Sequence, residues 1–117
     1  MSDMELLKEL TLARGVSGYE GEVRRIMMRE LKQTSSKLVT DHIGSIFGEK
    51  EGTASSPRIL LAGHMDEVGF MVKEITKDGY LRFATLGGWW EQVLLSQRVS
   101  VVTEKRTFTG VIGSKPP

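Results

Sequence analysis

The 117 residues carry sixteen Lys and Arg against fifteen Asp and Glu, for a formal net charge of +1, with 39% hydrophobic and 26% charged residues. That is the balance of a soluble globular protein, and it offers no electrostatic footprint for nucleic acid or an anionic membrane surface. Cysteine is absent, which excludes disulfides and thiolate metal sites and agrees with a reducing, cytoplasmic setting.

The opening Met1-Ser2-Asp3-Met4-Glu5 reads as the start of an amphipathic helix and not as a secretory leader. No apolar run approaches the length needed to span a bilayer. Met4, Leu7 and Leu10 recur at helical spacing and predict a helix over 4–14, with Gly15 as a left-handed C-terminal cap. Ser17-Gly18-Tyr19-Glu20 has the form of a capping box for a second helix. In that helix Val23, Ile26, Met27 and Leu31 face a core, while Arg24, Arg25, Arg29 and Lys32 form a solvated face. Two short strands, 37–43 and 45–49, follow around Gly44 as an antiparallel pair, and 50–57 is a solvated loop. The unbroken apolar run Ile59-Leu60-Leu61-Ala62 suits a strand covered on both faces, as in the parallel part of an α/β sheet.

Beyond Glu67 no helical signal remains. Segments 68–75, 80–85, 98–103 and 107–112 are strand-like and separated by short turns, which suggests a small barrel or sandwich. The organisation thus passes from mixed α/β to all-β near residue 70. The close at Ser114-Lys115-Pro116-Pro117 has no final strand partner, since proline cannot donate to a ladder. Residues beyond about 70 are therefore expected to form a β-rich unit that does not close on itself, through truncation or with self-association, leaving Val99, Val101, Phe108, Val111 and Ile112 partly exposed or covered by another copy or by missing chain.

The stretch with chemical content is Gly63-His64-Met65-Asp66-Glu67. His64 follows the apolar run directly, where an α/β sheet presents ligands at the carboxyl end of a strand. His64 and Asp66 are two apart, so an extended backbone aims both to one side, roughly 6–7 Å along the chain. A metal-bound imidazole commonly donates its second ring N–H to a carboxylate, and His-x-Asp supplies that pair within three residues. The triplet is common on protein surfaces, and its position at the end of the apolar run gives it weight. His42 reads as a solvated or cap-like residue, and Trp89-Trp90 as filling for a β-core or subunit interface. No phosphate loop, Gly-x-Ser-x-Gly elbow or His-Glu-x-x-His helix is present.

Three blocks carry a resemblance. They are Ala13-Arg14-Gly15-Val16-Ser17-Gly18-Tyr19-Glu20 with Glu22-Val23-Arg24, then 60–70 around Gly63-His64-Met65-Asp66-Glu67-Val68-Gly69, then Gly87-Gly88-Trp89 onward to Gly110-Val111-Ile112-Gly113-Ser114-Lys115-Pro116-Pro117. Together they resemble the N-terminal portion of the M42 peptidases, a family of two-metal aminopeptidases. The resemblance implies an α/β metallopeptidase domain, begun by residues 1–69, and an inserted barrel-like all-β oligomerisation domain, begun by residues 70–117. It implies His64 as the first metal ligand and Asp66 as the catalytic aspartate that orients and polarises it. It further implies two divalent ions (zinc or cobalt), a peptide substrate and a homo-oligomer.

Family members are several times longer. Their bridging aspartate, neighbouring glutamates and last histidine match no position here, so this chain alone is expected to be inactive, because each ion needs several protein ligands. A non-catalytic assembly module is the alternative. A glycoside hydrolase, a label some relatives carry, is less favoured, because Asp66 and Glu67 are adjacent and would point to opposite faces of a strand, whereas such hydrolysis needs two opposed carboxylates.

Overall fold

Ser2 and Glu5 start the first helix by exchanging hydrogen bonds. The Ser2 N–H donates to Glu5 Oε2 at 2.7 Å and the Glu5 N–H to Ser2 Oγ at 3.3 Å. This capping box sits one element earlier than the one expected at Ser17–Glu20. In the computed structural model, which describes residues 2–114, α1 spans Asp3–Leu12 and α2 spans Gly21–Thr34. Between them Gly18 takes φ +86° and Tyr19 N–H donates to Val16 O at 2.7 Å. That turn brings the Glu20 carboxylate back onto the Gly18 N–H, 2.7 Å away, so no side chain caps α2. Gly15 is likewise not a left-handed cap: the helix ends at Leu12, three residues before it, and Ala13 is already extended.

The helices bury one small cluster, Ala13, Val23 and Ile26, with Leu6, Leu10, Met27 and Met65 packed against it. The predicted apolar face of α2 therefore points inward. Across the exposed side Arg29 clamps α1 with two hydrogen bonds to the Glu9 carboxylate, at 2.9 and 2.6 Å, and also bonds Glu30 at 2.6 Å. The hydrogen bond from Arg29 holds the Glu9 carboxyl below its ordinary range, and the same contacts, Glu9 first, raise the guanidinium pKa. The basic face is thus partly paired and not simply solvated. Arg24 is half-buried, and its Nε is enclosed with no hydrogen-bond partner among the described residues.

Against α2 lies the first hairpin, β1 (Lys37–Thr40) and β2 (Ile46–Glu49), paired from Lys37↔Glu49 to Thr40↔Ile46. Its loop turns at Gly44, φ +100°, as the sequence predicts. A second hairpin joins β3 (Gly69–Ile75) and β4 (Leu81–Leu86), with an irregularity between Val72 and Glu74. Thr76 closes its turn by pairing with Tyr80, and Gly79 supplies φ +83°. Phe70 and Phe83 meet edge-on across the pair, 4.7 Å between ring centres.

These elements belong to a unit ending at Gly87; a second unit begins at Gly88. Its described residues hold one 3-10 turn (Glu91–Val93), contrary to the expectation of no further helix, and the hairpin of β5 (Arg98–Val102) and β6 (Thr107–Val111). Ser96 N–H donates to Ile112 O, and Ile112 N–H to Gln97 O, each at 2.9 Å. These bonds bury Ile112 together with Leu94, while Val99 and Val101 are half-buried and Phe108 and Val111 exposed. Ile112 alone departs from the predicted exposure. Trp90 is exposed and Trp89 half-buried.

One expectation fails here. Ile59, Leu60 and Leu61 form no strand and are 81%, 86% and 92% exposed. Among the described residues no neighbouring backbone pairs with this run, and an apolar sequence alone makes no ladder. The later strands, expected to begin a barrel without closing it, do not close: among the described residues six strands form three separate two-stranded sheets, whereas closure needs one continuous ladder. The pairing limit expected at Pro116-Pro117 lies outside the described residues. The architecture is mixed helix and strand, with a small helical core and two hairpins in the first unit and one hairpin in the second.

Asp41 organises the β1–β2 loop by accepting from the N–H groups of Ile43 at 3.1 Å and Ser45 at 2.8 Å. The Ser45 side chain, then the backbone donors, hold its carboxyl below 3.8. A group depressed on folding stabilises above its unfolded pKa and loses that contribution as pH falls through the folded value. Wild type is therefore expected to exceed Asp41→Asn in stability above about pH 4, with the gap closing below 3.8. Denaturant titrations of both proteins between pH 7 and pH 2 measure this; a gap independent of pH contradicts it.

Candidate metal-ligand site

Residues 63–68 form no strand, yet they are held in a defined place. Val16 and Glu67 make an isolated parallel bridge, in which Glu67 N–H donates to Gly15 O at 2.7 Å. The Glu67 carboxylate returns to the same residue, accepting from Gly15 N–H at 3.1 Å. Two residues further on, Gly69 is buried against Val16, and a Cβ there would come within 2.5 Å of Val16 Cγ2. Gly15 has an equally tight setting: an added Cβ would lie 2.8 Å from Val23 Cγ2 and 3.1 Å from Met65 O. Both glycines are required by close approach and not by backbone sign.

Met65 packs against the helical cluster, and its neighbours on either side turn the other way. His64 and Asp66 consequently share the outer face, as the two-residue spacing predicts. The His64 Nδ1 lies 2.9 Å from Asp66 Oδ1 and 3.0 Å from Asp66 O. Both partners are acceptors, so the proton of a neutral imidazole sits on Nδ1. Nε2 then keeps its lone pair, the state in which histidine binds a metal. The His64 side chain is 84% exposed, leaving its outer edge open to an ion and to further ligands.

The pair fits one imidazole's share of a metal centre, with its outer-sphere carboxylate already in place. It does not amount to a whole centre, because among the described residues no three His, Cys, Asp or Glu groups converge. Position is the part the sequence reading missed. The pair is not at the carboxyl end of a strand but at the end of an exposed coil, fixed by Gly15, Met65 and Glu67. His42 lies exposed in the β1–β2 loop, away from any such cluster. It shares a cavity of about 540 Å³ with Ser17, Gly18, Glu20, Gly21, Arg24, Asp41, Ile43 and Gly44.

Comparison with known proteins places the chain in context. A family model described as M42 glutamyl aminopeptidase matches residues 44–117, and one described as AMPT matches residues 2–27. The putative aminopeptidase FrvX of Escherichia coli K12 is 44% identical over 116 residues, 98% of this chain and 32% of the relative. The lysyl aminopeptidase of Pyrococcus furiosus is 38% identical over 118 residues, 100% of this chain and 34% of the relative.

Among solved structures, a TET aminopeptidase from a marine sediment thaumarchaeote superposes with a TM-score of 0.90 at 51% identity, covering 97% of this chain and 32% of that one. The TET1 peptidase of Pyrococcus horikoshii, which assembles into a tetrahedron or a large octahedral shell, gives 0.79 at 41%, covering 99% and 34%. A Thermotoga maritima protein called an endoglucanase gives 0.82 at 39%, covering 94% and 34%. The chain spans about a third of the length of the proteins it matches.

The paired geometry makes a direct expectation for the metal-free protein. Long-range nitrogen–proton NMR at neutral pH is expected to find neutral His64 predominantly protonated on Nδ1. Asp66→Ala removes the carboxylate acceptor and is expected to shift the ring toward a mixture with the Nε2–H form. An unchanged ratio in the variant contradicts the pairing.

Proposed function

The chain belongs to the M42 glutamyl aminopeptidase family, and from that premise we propose that it supplies part of the metal site of a metal-dependent aminopeptidase. The observation that carries the reading is the His64–Asp66 pair, with Nδ1 engaged at 2.9 Å and Nε2 open. His64 is the metal ligand. Asp66 sets its tautomer and increases its basicity as a donor. Two divalent ions, zinc or cobalt, are proposed for the complete site. When bound, such ions would supply a water of lowered pKa as a nucleophile near neutral pH.

What this chain contributes is a preformed imidazole on a fixed backbone, facing away from the helical core. The remaining ligands and the proton-transferring carboxylate belong, in this proposal, to the two-thirds of the relatives' length that this chain does not span. The substrate is a peptide with a free N-terminus and the setting is the cytoplasm. The protein acts as a homo-oligomer, for which the assembled TET1 relative is the support. Residues 70–117 are proposed to begin an inserted β-rich assembly domain after the peptidase portion 1–69.

A glycosidase reading has less support. Asp66 is turned to His64 and Glu67 to Gly15, so the two carboxylates do not flank a common space as sugar hydrolysis needs.

The test is hydrolysis of amino-acid anilides with added Zn²⁺ or Co²⁺. In the whole protein His64→Ala is expected to abolish activity and Asp66→Asn to lower metal affinity or rate by about 10–100-fold. The 117-residue chain alone is expected to be inactive. Turnover by the chain alone that His64→Ala removes contradicts the shared-site proposal, and a whole protein indifferent to His64→Ala contradicts the peptidase reading.

A further inference from the structure

We propose that Glu67 is a positioning residue for the His64 imidazole, acting through the backbone it shares with Asp66. The inference rests on the metal-ligand reading of His64 and asks what holds that ring in place. Secondary structure does not: residues 60–66 make no ladder, and Ile59, Leu60 and Leu61 touch little else. A histidine at the end of such a coil would wander unless something anchored the segment. Orientation of a ligating ring is worth retaining only if its backbone is equally restrained.

Glu67 provides the restraint twice. Its N–H reaches Gly15 O at 2.7 Å and its carboxylate accepts from Gly15 N–H at 3.1 Å. One residue thereby satisfies both polar backbone groups of Gly15. Gly15 is itself confined, with Val23 of α2 and the Met65 carbonyl both within a side chain's reach of its Cα. Val23 is among the few buried residues of the protein. The anchor therefore runs from the core of α2, through Gly15, to Glu67.

The adjacent residue is Asp66, whose carbonyl and carboxylate both meet His64 Nδ1. Fixing the 66–67 peptide aims that carbonyl, and Met65 packed on the helical cluster fixes the other side. With Met65 inward, Asp66 outward and Glu67 tied to Gly15, His64 Nδ1 meets two acceptors. The carboxylate of Glu67 is committed to this tie, so its part is distinct from that of Asp66 although the two are adjacent.

The test reads the His64 tautomer in the metal-free protein by long-range nitrogen–proton NMR, with far-UV circular dichroism as a check on the helices. Glu67→Gln keeps a carbonyl oxygen at the same reach and is expected to retain the wild-type preference for Nδ1–H. Glu67→Ala removes the acceptor and is expected to give a mixed tautomer population with helical content unchanged. Glu67→Asp keeps the charge but is one methylene short, and is expected to behave like alanine. It carries the test if Glu67→Ala loses its helical signal.

A wild-type tautomer ratio in the folded alanine or aspartate variant overturns the proposal, as does loss of the preference in Glu67→Gln. Because no metal or substrate enters, the result stands apart from the peptidase reading. That reading fails separately if His64→Ala leaves the whole protein's hydrolysis intact.

Discussion

The two hydrogen bonds between Gly15 and Glu67 are the constraint on which the rest of the candidate site depends. They join the end of the first helical layer to a segment 52 residues away in sequence. Without them the stretch carrying His64 would be an exposed coil between a solvated loop and a hairpin. Closing so long a loop is entropically unfavourable, and the offset comes from the contacts that accompany the bonds. Met65 enters the helical cluster and Gly69 lies directly on Val16. Each contact is small; their convergence on one short segment gives the dyad a definite place.

Elsewhere the chain is assembled from local modules. The capping box at Ser2–Glu5, the Arg29–Glu9 clamp and the Asp41 loop each stabilise an element by side chains close at hand. Among the described residues each hairpin is a two-stranded sheet of its own. Such modules need little buried surface, and the buried apolar set is correspondingly short: Ala13, Val23, Ile26, Leu94 and Ile112. The local economy explains how a definite His64–Asp66 geometry coexists with large exposed side chains such as Trp90 and Leu61.

What the residues made legible were the features that depend on near neighbours. The amphipathic pattern of α2, the first hairpin, the later strand segments and the same-face placement of His64 and Asp66 follow from periodicity and turn chemistry. The errors came where the same letters serve two purposes. Gly15 after a helix suggests a cap, yet here it is a point of close backbone approach. Ser17-Gly18-Tyr19-Glu20 has the spacing of a capping box, but Gly18 in a left-handed turn diverts Glu20 to its own loop. Ile59-Leu60-Leu61-Ala62 has strand composition, but a strand requires a partner backbone, which a one-dimensional pattern does not contain. Met65 and Glu67 flank Asp66 in plain view, and only the three-dimensional pairing reveals that one packs on the helical cluster and the other is tied to Gly15.

Amide hydrogen exchange at Glu67 tests the central claim most directly, since that N–H is the donor in the backbone half of the tie. If the Gly15–Glu67 contact fixes the site, the Glu67 amide is protected to a degree comparable with the amide of Ile26 in the α2 core. The amides of Leu60 and Leu61, a few residues earlier, exchange much faster. A Glu67 amide that exchanges as freely as Leu60 and Leu61, while Ile26 stays protected, contradicts the account, because the His64–Asp66 segment would then open independently of the helices.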